Sequence, residues 1–211
     1  MESHASQWGI SADALTQKLT TAGCAAYFER ADHDDIQDAF DDLRQGHLEP
    51  SSRLRRFYQE ANPAMVTISP WVYEELRFIH VRNLVDVHDG LTWKRAGKPI
   101  ENWRGHWIII AMAGQDPYFV SASSPGLPVY TDTFGVGAWQ PKLVASSLDK
   151  FLEICAIWTE AFTNTNIHPE LVLYRERGDL DGLLRAERAW SLFRRKLKAL
   201  DPIASVAGFW S

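Results

Sequence analysis

Apolar residues recur at helical spacing in three segments of the chain, and each segment is predicted to form an amphipathic helix. The segments are residues 32–46, 51–62 and 180–200. Their apolar sets are Ile36, Ala39, Phe40 and Leu43; Leu54, Phe57, Tyr58 and Ala61; and Leu183, Leu184, Trp190, Phe193, Leu197 and Leu200. Gly46 predicts the end of the first helix. Asn62-Pro63 predicts the end of the second, because a residue before proline leaves the α region.

Three further segments carry weaker helical patterns. Residues 11–30, 70–84 and 143–158 are each predicted to be helical. The helix at 70–84 is expected to begin at Pro70, since proline is favoured at the first helical position, although RFIHV at 77–81 also alternates like a strand. Residues 65–68, with the sequence MVTI, predict a short strand.

The middle of the chain changes character and predicts a sheet. Residues 93–106 are rich in turn-forming residues and predict a loop, and the β-branched run at 107–112 predicts a buried strand. Two more strands follow at about 117–121 and 128–132, joined by connections short enough to make the three strands neighbours. Helices, adjacent strands and then helices predict an α+β fold with a small antiparallel or mixed sheet.

Length, charge and composition narrow the class of protein. The chain has 211 residues, which fits a single domain, and its net charge of −5 disfavours direct binding to nucleic acid. It has no apolar run of the roughly 20 residues that a membrane span needs and no signal-peptide pattern, so we expect a cytoplasmic protein without a membrane partner. Cys155 lies in an apolar helical pattern and is predicted to be a buried, reduced thiol.

Motifs that carry catalytic chemistry are sparse. The sequence has no phosphate-binding GxxxxGK[ST] loop, no HExxH zinc helix and no GxSxG nucleophile elbow, and GVG at 135–137 does not extend to GxGxxG. We therefore predict no catalytic residue, no metal site and no cofactor. The alternative is a small hydrolase that uses Asp86, His88 and Asp116, although a polar turn leading to Gly90 is the better explanation of the first two.

Residues 29–42 concentrate negative charge. Seven carboxylates stand against one arginine, which leaves a local charge of −6. One interpretation is a solvated helix face whose first turn favours acidic side chains. The other is a surface that engages a basic partner.

An ordered series of motifs resembles the SUKH superfamily, which comprises bacterial immunity proteins of polymorphic toxin systems and relatives of a yeast cell-wall-synthesis regulator. "ENWRGHWIIIAMAGQDPYFV" is similar to the family's two spaced tryptophans, hydrophobic strand and G-x-D-P-[YF] turn. "GLPVYTDTFGVGAWQPKLVASSLDKFL" resembles its next strand, its G-x-G-x-W turn and the helix that follows. The similarity spans about residues 33–157, with helical extensions expected at 1–30 and 160–211. It departs from the family at Ser121-Ala122-Ser123, where an acidic residue is usual.

The resemblance implies a non-enzymatic protein that binds and neutralises a cognate toxin, often a nuclease. A regulatory scaffold without a toxin is the alternative, and the oligomeric state stays open. The toxin-binding candidates are Asp34, Asp38, Asp41 and Asp42 on the acidic helix, with Tyr58, Trp71, Tyr73 and Trp103 as aromatic anchors. The residues expected to shape the scaffold are Trp107, Gly114, Asp116, Pro117, Tyr118, Gly135, Gly137 and Trp139.

Trp107 and Trp139 are predicted to be packing residues, because large indoles at the head of a buried strand and after a glycine turn tend to be buried. Truncation of a buried tryptophan to alanine should lower the free energy of unfolding by about 3–5 kcal/mol, measured by chemical denaturation. An unchanged melting temperature in Trp139→Ala, together with lost partner binding, would contradict this assignment.

Overall fold

The computed structural model describes residues 12–21, 25–89, 91, 93–94, 98–99, 102–136 and 138–210. Within these ranges the α+β fold is confirmed. The helices are α1 Ala12–Thr21, α2 His33–Gln45, α3 Ser52–Ala61, α4 Leu84–His88, α5 Leu148–Ala161, α6 Leu171–Glu176 and α7 Leu180–Leu200. The strands are β1 Ala25–Glu29, β2 Asn62–Trp71, β3 Glu74–Phe78, β4 Trp93–Lys94, β5 Lys98–Pro99, β6 Trp107–Ala113, β7 Asp116–Ser121, β8 Val129–Thr131 and β9 Lys142–Ala145. Short 3₁₀ helices form at Val81–Asn83 and Ala204–Val206.

Seven strands form one antiparallel sheet in the order β1-β2-β3-β6-β7-β8-β9, while β4 and β5 pair with each other. The predicted neighbours at 107–112, 117–121 and 128–132 correspond to β6, β7 and β8 and are confirmed. A two-residue turn joins β6 to β7, and Gly114 in that turn has a φ of +57°, which a residue without a Cβ adopts at little cost. The register pairs Trp107 with Ser121 and Ala113 with Asp116.

Alternation along β7 divides the aromatic core between the two faces of the sheet. On one face, the ring of Tyr118 stacks on Phe151 of α5, with 5.9 Å between ring centroids. On the other face, Phe119 packs against Trp103 and Trp107 with centroid distances of 5.1 and 5.0 Å. The sheet therefore has α5 on one face and a separate aromatic group on the other.

Four tryptophans, which we call the tryptophan cluster, tie the α5 face together. They come from the end of β2, from α5, from α7 and from the C-terminal segment: Trp71, Trp158, Trp190 and Trp210. Trp158 lies within 5.1 to 5.7 Å of the other three, measured between ring centroids. Every indole N–H in the cluster donates a hydrogen bond. The acceptors are the Tyr118 hydroxyl and the backbone carbonyls of Pro70, Pro169 and Val144, at 2.7–2.8 Å.

The predicted helix at 70–84 is wrong. β2 continues through a cis Ser69-Pro70 bond to Trp71, Val72 and Tyr73 form a turn, and β3 runs back along β2. Two-residue alternation overrides the helical spacing here, because it buries Leu76 and Phe78 on the same face of the sheet. The proline is accommodated at a register shift between Ile68 and Trp71, where the regular ladder is interrupted.

Two other helix boundaries also need correction. Residues 143–158 begin as strand β9, and α5 starts only at Leu148, where the Ser147 hydroxyl accepts a hydrogen bond from the Lys150 N–H. Residues 25–29, inside the predicted N-terminal helix, form the edge strand β1. The predicted loop at 93–106 contains the paired strands β4 and β5.

The residues expected to shape the scaffold have mixed outcomes. Trp107 is buried, whereas Trp139 is only half-buried. The ring centroid of Trp139 lies 5.0 Å from that of Trp103 and 6.4 Å from that of Phe134. Truncating Trp139 to alanine should therefore lower the free energy of unfolding by less than truncating Trp107. Gly135 has the expected positive φ, and Gly137 lies outside the described residues. Pro117 and Tyr118 are buried in β7. The Asp116 carboxylate accepts a hydrogen bond from the Phe134 N–H, which ties β7 to the segment after β8. Cys155 is buried, as predicted.

Replacing Tyr118 with phenylalanine removes the acceptor of the Trp71 indole N–H while leaving the ring in place. Leaving a buried donor without a partner costs about 1–3 kcal/mol, so Tyr118→Phe should lower the free energy of unfolding by that amount in urea denaturation. Tyr27→Phe is the matched control, because Tyr27 is exposed and its loss should change stability by no more than about 0.5 kcal/mol. Equal effects of the two substitutions would contradict the role assigned to the hydroxyl.

Candidate partner-binding surface

Helix α2 is fixed to the protein by one face and exposes an acidic face on the other side. Ile36, Ala39, Phe40 and Leu43 are buried, as the helical spacing predicts. The Arg55 guanidinium lies 4.9 Å from the centre of the Phe40 ring and packs the helix against α3. The backbone of α2 is therefore held rigidly, which is what a preorganised surface requires.

Ion pairs neutralise part of the acidic face. Asp35 pairs with Arg82 at 2.8 Å, and Asp41 pairs with Arg44 at 2.7 Å. A hydrogen bond from Gln37, together with Arg44 and Arg55, lowers the pKa of Asp41 below its usual value. Asp41, one of the binding candidates, thus already has partners within the chain.

Asp34, Asp38 and Asp42 form what remains of the charge, and we call them the acidic stripe. They are exposed, and their spacing of four residues aligns them along one side of α2. Among the described residues, Asp38 and Asp42 make no ion pair, and Asp34 lies only near His33, at 3.6 Å. The stripe is about 12 Å long, from the rise of 1.5 Å per helical residue.

Three of the four predicted aromatic anchors are wrong, because they are buried in the core. Tyr58 packs on Phe40 and donates its hydroxyl to the Ile79 carbonyl, and burial raises the pKa of that phenol. Trp71 belongs to the tryptophan cluster, and the Trp103 indole donates to the Trp107 carbonyl at 3.2 Å. These three side chains are therefore core residues and do not project from the surface as anchors.

The fourth anchor, Tyr73, is 76% exposed in the turn between β2 and β3. Its neighbour Val72 has a φ of +44°, a strained conformation for a β-branched residue. The turn lies at the opposite end of β3 from Arg82, the residue that pairs with α2. Tyr73 is therefore accessible, but the β3 strand separates it from the start of the acidic helix.

Tyr27 and Met65 are exposed apolar residues that the sequence reasoning missed. They are register partners on β1 and β2, 53% and 62% exposed. The alternation in residues 63–68 contains the signal, because burying Val66 and Ile68 puts Met65 on the other face of the strand. β1 leads directly into α2, so this pair lies on the strand next to the acidic helix in sequence.

The residues of the alternative hydrolase site do not converge. His88 is buried at the end of α4, where its Nδ1 donates to the Leu84 carbonyl and its Nε2 accepts from the Ile109 N–H. Asp86 is exposed. Asp116 is the register partner of Ala113, at the end of β6 that lies away from Ile109 and therefore away from His88. The pairing of β3 with β6 ends at Phe78 and Ala111. Beyond that point His88 accepts the hydrogen bond from the Ile109 N–H of β6, which is a structural role.

Charge of the opposite sign lies on α7. Its exposed flank carries Arg185, Arg188, Arg194, Arg195 and Lys198. The Arg194 guanidinium stacks 5.2 Å from the centre of the Trp190 ring. α2 and α7 therefore offer two helical surfaces of opposite charge.

Over the described ranges, no group of three or more His, Cys, Asp or Glu side chains is arranged to hold a metal ion. None of the helices described here is long and apolar enough to cross a membrane. Comparison with protein-family models and with curated proteins gives no match for this chain.

His88 should make the stability depend on pH. Burial lowers its pKa from 6.5 to about 4, so between these values the unfolded chain binds a proton that the folded chain does not. Stabilisation present at pH 7 should be lost as the pH falls from 6.5 to 4, by up to about 3 kcal/mol. His88→Gln keeps an acceptor for the Ile109 N–H but cannot titrate. In urea denaturation, wild type should lose more stability than His88→Gln over this range, and parallel pH profiles would contradict the assignment.

Proposed function

We propose that this chain is a non-catalytic immunity protein that binds and neutralises a toxin through the acidic stripe on α2. The acidic stripe supports this proposal, because it presents three exposed carboxylates on a helix whose other face is buried in the core. The resemblance of residues 33–157 to the SUKH superfamily supports the class of function. Fold and resemblance do not specify a target, so the partner follows from the chemistry of the surface.

A basic nuclease is the class of toxin that fits this surface. The substrate groove of a nuclease attracts a phosphate backbone, and a row of carboxylates imitates that charge pattern. Opposite charges steer the two proteins together and increase the association rate. The basic flank of α7 would repel the same groove, so the proposed interface uses α2.

Charge alone gives a salt-sensitive complex, and tight neutralisation needs apolar anchors as well. Tyr27 and Met65 meet this need, because they are exposed side by side on the sheet next to the strand end that leads into α2. Tyr73 is a more distant contact, which a larger partner could reach. The proposed site of action is the cytoplasm of a bacterial cell that makes the toxin.

The direct test of the function is co-expression with the product of the large open reading frame adjacent to the gene. Growth rescue together with a stable purified complex is the expected result. If that product is not toxic, or binds without rescuing growth, the toxin-immunity proposal is contradicted in favour of a regulatory scaffold.

Reversing two charges of the stripe should slow association with the toxin. Asp38→Lys with Asp42→Lys changes the local charge by four units without touching the buried face of α2. The association rate constant, measured by stopped flow at low salt, should fall at least about tenfold, because steering contributes factors of 10 to 1,000. The difference between variant and wild type should shrink at high salt, where surface charges are screened.

The matched control is Glu176→Lys with Glu187→Lys, which makes the same charge change at exposed positions on α6 and α7. It should affect association much less than the α2 variant. Equal rate losses for the two variants would show that net charge acts, and unchanged association of the α2 variant would exclude the stripe from the interface.

A further inference from the structure

A cavity of about 820 Å³ opens on the sheet face opposite α5. It lies between residues 102–107, where β6 begins, and residues 138–141, which precede β9. The register of β6 and β7 puts Ser121 opposite Trp107, on the same face as Phe119. We call this cavity the Ser121 pocket, because that buried hydroxyl lies in its wall.

Hydrogen-bond donors are concentrated in the Ser121 pocket. The Ser121 hydroxyl lies 3.3 Å from that of Ser123 and 3.2 Å from that of Ser124. Three hydroxyls joined by two such bonds leave at least one hydroxyl hydrogen to donate outward. Arg104 adds a guanidinium, and His106 adds an imidazole, which donates one hydrogen bond even when neutral.

The pocket also differs from the rest of the protein in its charge. None of the described residues that line it is acidic, although the chain as a whole carries a net charge of −5. A second cavity, of about 560 Å³, lies near the β2–β3 turn, and its lining includes four acidic and two basic residues: Glu74, Asp116, Asp132, Glu170, Lys142 and Arg194. Glu49 lies close enough to His106 to oppose the lowering of its pKa by burial and by Arg104, but it is not in the pocket wall.

Flat aromatic surfaces form the rest of the wall. Trp139 is half-buried, in edge-to-face contact with Trp103 at 5.0 Å between ring centroids, and Tyr130 stacks on Phe119 at 6.1 Å. The Arg104 guanidinium lies 5.2 Å from the centre of the Trp107 ring, which places a positive charge beside this aromatic wall. The volume falls in the range of small-molecule sites and exceeds what a bare anion would fill.

We propose that the Ser121 pocket binds a nucleoside monophosphate, with the phosphate at Arg104 and the serine hydroxyls and the base against Trp139. Hydrogen-bond donors favour a phosphate where no carboxylate in the pocket wall competes for them. The half-buried indole of Trp139 in the pocket wall favours a base, because every nucleobase presents a π-surface for stacking. This site goes beyond the proposed toxin binding, and it can be tested with the isolated chain.

The experiment titrates the ¹⁵N-labelled chain with AMP and follows the indole N–H signals, assigned by single Trp→Phe substitutions. AMP should shift the signals of Trp103, Trp107 and Trp139 and leave those of the tryptophan cluster in place. Adenosine and inorganic phosphate, titrated separately, should each bind at least about tenfold more weakly than AMP. Arg104→Ala should weaken AMP binding by about 10- to 100-fold, the range for a lost hydrogen bond to a charged group.

Arg77→Ala is the control variant, because Arg77 is an exposed arginine on β3 that does not line the pocket. It should bind AMP like wild type.

Thermal denaturation of Arg104→Ala checks that a loss of binding does not reflect unfolding, and Ser123→Ala with Ser124→Ala supplies a second test that retains Arg104. No shift at 10 mM AMP, equal binding of adenosine and AMP, or unchanged affinity in both pocket variants would overturn the proposal.

Discussion

Four tryptophans, three of them buried and Trp190 half-buried, pack against one another with every indole N–H hydrogen-bonded, and the surrounding elements are arranged around this cluster. Trp71, Trp158, Trp190 and Trp210 bring together the end of β2, α5, α7 and the C-terminal segment. An indole is mostly apolar, but burying its N–H without an acceptor costs free energy comparable to a lost hydrogen bond. The acceptors are one hydroxyl and three backbone carbonyls. Because each carbonyl must face its indole, the three segments that carry them, at Pro70, Val144 and Pro169, are held in position against the helices. The predicted C-terminal extension is accordingly part of the core, because Trp210 inserts beside Trp71 and Trp158.

This interior leaves two surfaces with distinct chemistry. α2 presents carboxylates that lack ion pairs among the described residues, and its rigid attachment suits them to a basic protein. The Ser121 pocket presents a guanidinium, hydroxyls and aromatic faces without an acidic residue in its described lining. A chain with a modest net charge of −5 thus separates its charge into local surfaces that favour different ligands. The proposals for the two surfaces are independent of each other.

The sequence predicted those elements whose pattern has one interpretation. α2, α3, α7 and the β6–β8 strands follow from helical spacing, capping residues and β-branched runs. The helix prediction for residues 70–84 was wrong because their apolar positions fit both the helical and the two-residue strand period. Only the pairing of β3 with β2 and β6 decides between the two. The acidic helix was predicted correctly, but its arginine partners were not, since Arg82 is 47 residues from Asp35 in the sequence. Trp71 and Trp103 were mistaken for surface anchors because residue type alone does not distinguish a buried aromatic from an exposed one. Tyr58 was mistaken although its place in the apolar set of α3 already indicated burial.

Hydrogen–deuterium exchange, compared between the chain alone and its complex with the toxin, is the sharpest test of our proposal that the acidic face of α2 binds a basic toxin. We expect additional protection in peptides that cover residues 33–45, with a further contribution from β1 and β2 around Tyr27 and Met65, and little change in α7. Protection confined to the basic flank of α7, with α2 exchanging as in the free chain, would contradict it.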